Sequence, residues 1–342
     1  MLNQIYQLIK PKNLSIKYEE IDINSSHNII VKPNFMAICH ADQRYYQGRR
    51  DPKILAKKLP MAPIHEATGI VVADPTGTYE PGQKVAMIPN QPPKNIEKDN
   101  IFFENYLSES YFLSSGNDGF MQEVISLPLD RVVPYENISD EVAALSEFTS
   151  VSMHSIARFD KIAHSKRDSV VIVGDGSLAY VVATSLHYTY PDMKITVIGR
   201  NPEKLRMFNF IENTFMSNEV PESLKFDHGF ECAGGQGSES AINDIIDYLN
   251  PQGTIMIMGV SENKVSINTR DVLEKGITIV GSSRSGRKDF EQAIEMISDK
   301  QIQSRLKNII FLEEDVKTIS DIHKVFATDL STPFKTVFKW DI

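Results

Sequence analysis

The sequence predicts an α/β chain of two domains, the first β-rich and partly barrel-like, the second a doubly wound parallel sheet. Three observations carry this. At 342 residues, the chain exceeds the size at which one hydrophobic core usually suffices. Up to about residue 150, short β-branched runs are broken by proline and glycine. Beyond that point apolar strands alternate with helical patterns, the mark of a parallel sheet covered on both faces.

Taken in order, Met1 to Tyr6 reads as a first strand. Ile29-Ile30-Val31, Gly69 to Val72 and Lys84 to Ile88 read as further strands, punctuated by Pro33, Pro75-Thr76-Gly77 and Pro81-Gly82. The polar stretch Asn90 to Asn100, with Pro92-Pro93, reads as a surface excursion. Ser169 to Val173 is a continuous apolar strand, Ser177 to Tyr190 a helix, and Lys194 to Ile198 another buried strand. Ser238 to Leu249 reads as a helix closed by the turn Asn250-Pro251-Gln252-Gly253. Thr254 to Met258 and Ile277 to Val280 are later strands, the last at a sheet edge open to pairing with a second copy. Lys335 to Trp340 is strand-like and returns to the first domain.

Composition excludes several classes. Apolar residues make up 41% and charged residues 24%, ordinary for a globular protein. No apolar run approaches the roughly 20 residues that span a bilayer, and the N-terminus lacks a signal-peptide pattern, so a cytoplasmic protein is expected. A net charge of −9 argues against nonspecific nucleic-acid binding. The two cysteines, Cys39 and Cys232, are too few for a four-cysteine metal site, so any metal needs His and carboxylate donors as well. Cys232 is assigned to packing.

Gly174-Asp175-Gly176-Ser177-Leu178-Ala179 has the spacing of a dinucleotide-binding turn, in the required context of a strand before and a helix after. Gly174 permits the tight turn, Gly176 lets the backbone approach a pyrophosphate, and Ala179 allows close packing of helix on strand. The helix starting at Ser177 and Leu178 offers N–H groups to the anion. The second strand ends Val197-Ile198-Gly199-Arg200-Asn201, without the acid that usually holds the ribose hydroxyls of NAD. Arg200, helped by Lys204, can instead pair with a 2′-phosphate. NADP(H) is favoured.

The N-terminal domain brings together a thiol, an imidazole and carboxylates: Cys39 in Met36 to Asp42, then Pro63-Ile64-His65-Glu66, then Glu147 in Leu145 to Ser150. A catalytic zinc uses three such ligands and keeps a fourth position open. With Asp118-Gly119-Phe120-Met121 and Phe230-Glu231-Cys232-Ala233-Gly234, these residues resemble the zinc-containing medium-chain dehydrogenases, in the polyol dehydrogenase branch. The resemblance implies a GroES-like catalytic domain over residues 1–150, completed by about 288–342, and a Rossmann domain over 151–287. It implies one catalytic Zn2+ on Cys39, His65 and Glu147, with Glu66 joining or approaching the metal. Two departures stand out. The four cysteines of the family's structural zinc are missing, and Ala41 replaces the Ser or Thr that usually relays the proton. Asp42, His40 or a metal-bound water held by Glu66 are the alternatives; Tyr46 and His154 read as structural.

The cations Arg44, Arg49 and Arg50 follow the metal segment, and Arg284 to Lys288 follow the last parallel strand. A phosphorylated sugar would need them and a plain polyol would not. Residues 41–46 and 274–286 resemble the bacterial ribulose-5-phosphate reductases. That resemblance implies NADPH-dependent reduction of D-ribulose 5-phosphate to D-ribitol 5-phosphate, with zinc polarising the ketone and Arg44, Arg49 or Arg284 holding the phosphate. The product would supply CDP-ribitol for wall teichoic acid or capsule. A homodimer and pairing with a ribitol-phosphate cytidylyltransferase are implied partners. The alternatives are an NAD-dependent dehydrogenase of an unphosphorylated polyol, or a noncatalytic sensor on the same scaffold.

Overall fold

The computed structural model describes residues 1–24, 27–96 and 101–342. The chain forms two compact units: Met1–Ser150 with Ser285–Ile342, and Val151–Arg284.

The first unit is β-rich. Its seven-stranded sheet runs Ile310–Leu312, Lys335–Lys339, Asn28–Ala37, Glu66–Ala73, Lys84–Met87 and Val132–Pro134, with Ile125–Pro128 pairing to Asn28–Ala37. The C-terminal strand Lys335–Lys339 runs antiparallel to Asn28–Ala37, as the expected return requires. A separate hairpin pairs Leu2–Lys10 with Asn13–Glu20. The core gathers Ile5, Leu8, Ile29, Val31, Met87, Phe120, Phe338 and Trp340, all buried. The proline- and glycine-broken strands thus close over one apolar centre, with alternate side chains turned inward.

The reading of Asn90 to Asn100 as a surface excursion is corrected at its start. Asn90–Gln91 pairs antiparallel with Tyr111–Phe112, and both residues are buried. Polar side chains flanked by prolines read as loop, but ladder bonds satisfy their backbone. Residues 97–100 of that stretch lie outside the described residues.

The second unit is a six-stranded, all-parallel sheet in the order Asn213–Met216, Lys194–Gly199, Ser169–Val173, Phe226–Glu231, Leu249–Ile257, Thr278–Gly281. Numbered along the chain this is 3-2-1-4-5-6, the doubly wound order whose switch point lies beside its first strand. The strand Thr278–Gly281 is an edge, as read from the sequence. The turn expected at Asn250–Gly253 is corrected: those residues lie inside the strand Leu249–Ile257. The turn chemistry is spent on an irregularity there. Gln252 has φ 65°, and the register against the neighbouring strand shifts between Phe226 and His228.

Candidate metal centre and coenzyme turn

Cys39 lies between the strand Asn28–Ala37 and the short helix His40–Tyr46, which it caps. The reason is local. Asp42, at the third helical position, reaches back so that the Cys39 N–H donates to its Oδ2 at 3.4 Å, the acid's share of a capping box. That helix turns Arg44 to a half-buried place and leaves Arg49, just past its end, exposed. Arg50 lies 4.3 Å over the ring of Tyr45.

The strand Glu66–Ala73 starts immediately after His65. The residue before it, Ile64, is buried with φ 69°, a conformation costly for a β-branched side chain. Its surroundings hold it there. Ile64 N–H donates to Asp42 Oδ1 at 3.1 Å, and Ile64 O accepts from Phe120 N–H at 2.7 Å. A Cβ on Gly119 would sit 2.4 Å from Ile64 O, so only glycine lets this backbone approach. Asp118 completes the cradle by accepting from Ala62 N–H at 2.7 Å.

The result is convergence. Cys39 Sγ, a His65 ring nitrogen and a Glu66 carboxylate oxygen all lie within 4.8 Å of one another. His65 Nδ1 meets the Asp42 carboxylate at 3.2–3.3 Å, which leaves Nε2 as the outward nitrogen. Asp42 also accepts from Ser114 Oγ at 2.7 Å. With both oxygens engaged and the residue 1% exposed, Asp42 orients His65. Burial opposes the charge on His65, but Asp42 and Cys39 outweigh it and raise its pKa well above the ordinary imidazole value in the metal-free protein. Burial opposes charge on Asp42 too, yet His65, Ser114 and the Ile64 N–H together lower its pKa.

Glu66 is fully buried and has a partner that the sequence reading missed. Lys335 Nζ donates to Glu66 Oε1 at 2.7 Å and to Ile38 O at 2.9 Å. Oε2 lies 2.6 Å from the same ammonium, so Lys335 sits against both carboxylate oxygens. Lys335 also sits 4.6 Å over the ring of Phe148. Glu147, in the first turn of the helix Ser146–Ile162, is not among the three convergent donors. It nonetheless belongs to the same buried charge set. Burial, then the neighbouring carboxylates against His65 and Lys335, raise its pKa to about 7. Tyr46 is structural as expected, bonded to His323 and stacked on Phe326. His154 is buried within the long helix, and His40 is exposed.

In the second unit, Gly174 has φ 134°, and a Cβ there would lie 2.8 Å from the backbone of Cys232. Cys232 is buried and bonded through its N–H to Val173 O, in keeping with a packing role. Around Gly176 a Cβ would meet nothing within 4 Å, and no side chain caps the helix Ser177–Thr189 that it starts. Open space beside uncapped N–H groups suits a pyrophosphate. Ala179 is fully buried beneath this turn, while Ser177 and Leu178 are half-buried. Arg200 donates through Nη2 to Ser240 Oγ at 2.8 Å, and Lys204 lies in the following helix Pro202–Leu205. Arg284 has φ 59° at the end of this unit.

The chain is similar to known proteins over its whole length. The family described as "Alcohol dehydrogenase GroES-like domain" matches residues 25–137, and that described as "Zinc-binding dehydrogenase" matches residues 193–299. A ribulose-5-phosphate reductase of Streptococcus pneumoniae is 60% identical over 342 residues, covering 100% of this chain and 98% of that protein. Ribulose-5-phosphate reductase 1 of Staphylococcus aureus is 47% identical over 343 residues, covering 99% of each. The crystal structure of S. aureus TarJ in complex with NADPH superposes with a TM-score of 0.89 at 43% identity, covering 100% of both chains.

Proposed function

We propose, from the premise that this chain belongs to the zinc-binding alcohol dehydrogenases and among them to the ribulose-5-phosphate reductase family, that it reduces D-ribulose 5-phosphate to D-ribitol 5-phosphate with NADPH. The observation that carries this is the convergence of Cys39, His65 and Glu66 within 4.8 Å. Sulfur, nitrogen and oxygen donors at that spacing fit a single zinc.

When bound, zinc supplies Lewis-acid polarisation of a ketone and NADPH supplies the hydride. The chain's own residues do the rest. Cys39 and His65 are the firmest metal donors in this reading, with Glu66 and Glu147 completing or approaching the shell. Asp42 fixes the His65 ring so that Nε2 faces outward. Lys335 holds Glu66 in place and balances its charge. Glu147 is buried among the same charges, which raise its pKa to about 7 in the metal-free protein; a bound cation would favour its ionised form as a further donor.

Coenzyme is held by Gly174, Gly176 and the N–H groups from Ser177, Leu178 and Ala179, with Arg200 and Lys204 toward the 2′-phosphate. Arg44, with Arg49 and Arg284, is the proposed holder of the substrate phosphate. The enzyme works in the cytoplasm as a homodimer and passes its product to a ribitol-phosphate cytidylyltransferase, supplying CDP-ribitol for teichoic acid or capsule. NADPH oxidation tests the reading, with ribulose 5-phosphate or ribulose as substrate, before and after chelation. Turnover should need the phosphate and should return with zinc after chelation. Equal rates with ribulose and NADH would replace the reading with an NAD-linked polyol dehydrogenase.

A further inference from the structure

The aspartate inside the glycine-rich turn has no place in the coenzyme contacts just described, yet the fold is built around it. Asp175 Oδ2 accepts two consecutive backbone N–H groups, Arg200 at 2.6 Å and Asn201 at 2.7 Å. These are the residues that leave the second parallel strand, Lys194–Gly199. Gly199 makes room for the contact: a Cβ there would lie 2.6 Å from Asp175 Cβ. Asn201 then caps the next helix, its Oδ1 accepting from Glu203 and Lys204 N–H.

The Arg200 side chain is tethered separately. Nη2 donates to Ser240 Oγ at 2.8 Å, and Ser240 passes its own hydrogen to Gly237 O at 3.1 Å. Arg200 is therefore fixed at both ends, backbone by Asp175 and guanidinium by Ser240. It is also exposed to solvent, and its charge is felt by Asp244, where it opposes the upward push of burial and Asp247 on the pKa. In NAD-binding folds an acid near this strand end accepts the ribose hydroxyls. Here the acid comes from the turn and spends its oxygen on backbone N–H groups.

We propose that Asp175 is a positioning residue for coenzyme choice. By pinning the backbone of Arg200 and Asn201 it orders the guanidinium toward the 2′-phosphate of NADP(H) before the coenzyme arrives. A side chain held in its bound geometry loses less entropy on binding. The inference rests on the NADPH reading above and names the group that enforces it.

The test is steady-state kcat and KM for NADPH and NADH with the full enzyme, comparing wild type, Asp175→Ala and Asp175→Asn. Asp175→Ala should raise KM for NADPH about tenfold, as loss of charge-assisted bonds to a loop predicts, and change KM for NADH less than about threefold. Asp175→Asn, whose amide oxygen still accepts, should recover most of the NADPH affinity. If Asp175→Ala leaves KM for NADPH unchanged, the idea fails. If it lowers that KM, as removal of a repelling charge would, the idea also fails. Equal loss with both coenzymes means a damaged turn and again overturns it. A wild type that prefers NADH refutes the coenzyme reading itself, and is recognised before any variant is made.

Discussion

The metal corner of the first unit and the coenzyme turn of the second are assembled by different means. At the metal corner, side chain meets side chain across long stretches of sequence: Lys335 with Glu66, Asp42 with His65, Ser114 with Asp42. All are buried, so each charge depends on its partner. At the turn, most of the work is done by backbone: Gly174 against Cys232, open space at Gly176, uncapped N–H groups after it. The first design concentrates energy in a few replaceable pairs. The second spreads it over local geometry.

The difference should appear most strongly when a donor is removed from the metal corner. Cys39→Ser should abolish bound zinc and lower kcat/KM by roughly a thousandfold, the worth of several kcal/mol of Lewis-acid stabilisation at about 1.4 kcal/mol per tenfold. Metal analysis and NADPH oxidation measure it, and full turnover in the variant would dismiss the assignment.

Next in size is Lys335→Met, which leaves the buried Glu66 carboxylate without its cation. Breaking such a pair costs about 3–5 kcal/mol, read as a lower urea midpoint of the metal-free protein. The double variant Glu66→Gln with Lys335→Met should regain much of that loss, because it removes both charges. If Lys335→Met unfolds at the wild-type urea concentration, the pair carries no such weight. The corresponding change in the second unit, Gly176→Ala, meets no atom within 4 Å. It should leave the unfolding free energy from urea titration within about 0.5 kcal/mol while weakening coenzyme binding, measured by titration with NADPH. A large stability loss there would erase the contrast between the two regions.

The same contrast explains what could be read from the sequence. In the second unit four of the six strands, the helix after the glycine turn and the edge position of Thr278–Gly281 were legible, because apolar runs and a spaced glycine motif are local signals; the strands Asn213–Met216 and Phe226–Glu231 were not read. The misreading of Asn250–Gly253 arose because Pro, Gln and Gly announce a turn whether the chain reverses or bulges within a strand. At the metal corner the donor types were legible as chemistry, and Cys39, His65 and Glu66 do converge. Lys335 was not. A lysine opening a strand reads as solvated, and its partner lies far away in the sequence. The strain at Ile64 was equally hidden, since nothing local marks an isoleucine for positive φ. Asn90 was misplaced because its burial comes from tertiary pairing with Phe112.

The last comparison sets two buried histidines, one from each unit, side by side. His65 faces a carboxylate, and its pKa is driven up. His228, in the second unit, is placed between Lys166 O, 2.9 Å from Nε2, and Thr254 N–H, which donates to Nδ1 at 3.2 Å. That pattern wants a neutral ring with its hydrogen on Nε2. Burial, then His164, tilted at 45° with 4.3 Å between centroids, push the pKa down to about 4, Arg167 adding to them and the Lys166 carbonyl and Asp227 opposing. The unfolded chain takes up a proton near pH 6.5, and the folded chain resists it until about pH 4. Stability from this residue is complete above pH 6.5 and drains as pH falls between those values, by about 3 kcal/mol in all. Urea midpoints across that range should fall with pH in the wild type and fall less steeply in His228→Gln. Parallel slopes would show that His228 is protonated in the folded protein too, and that burial in the second unit is as charge-tolerant as it is beside Asp42.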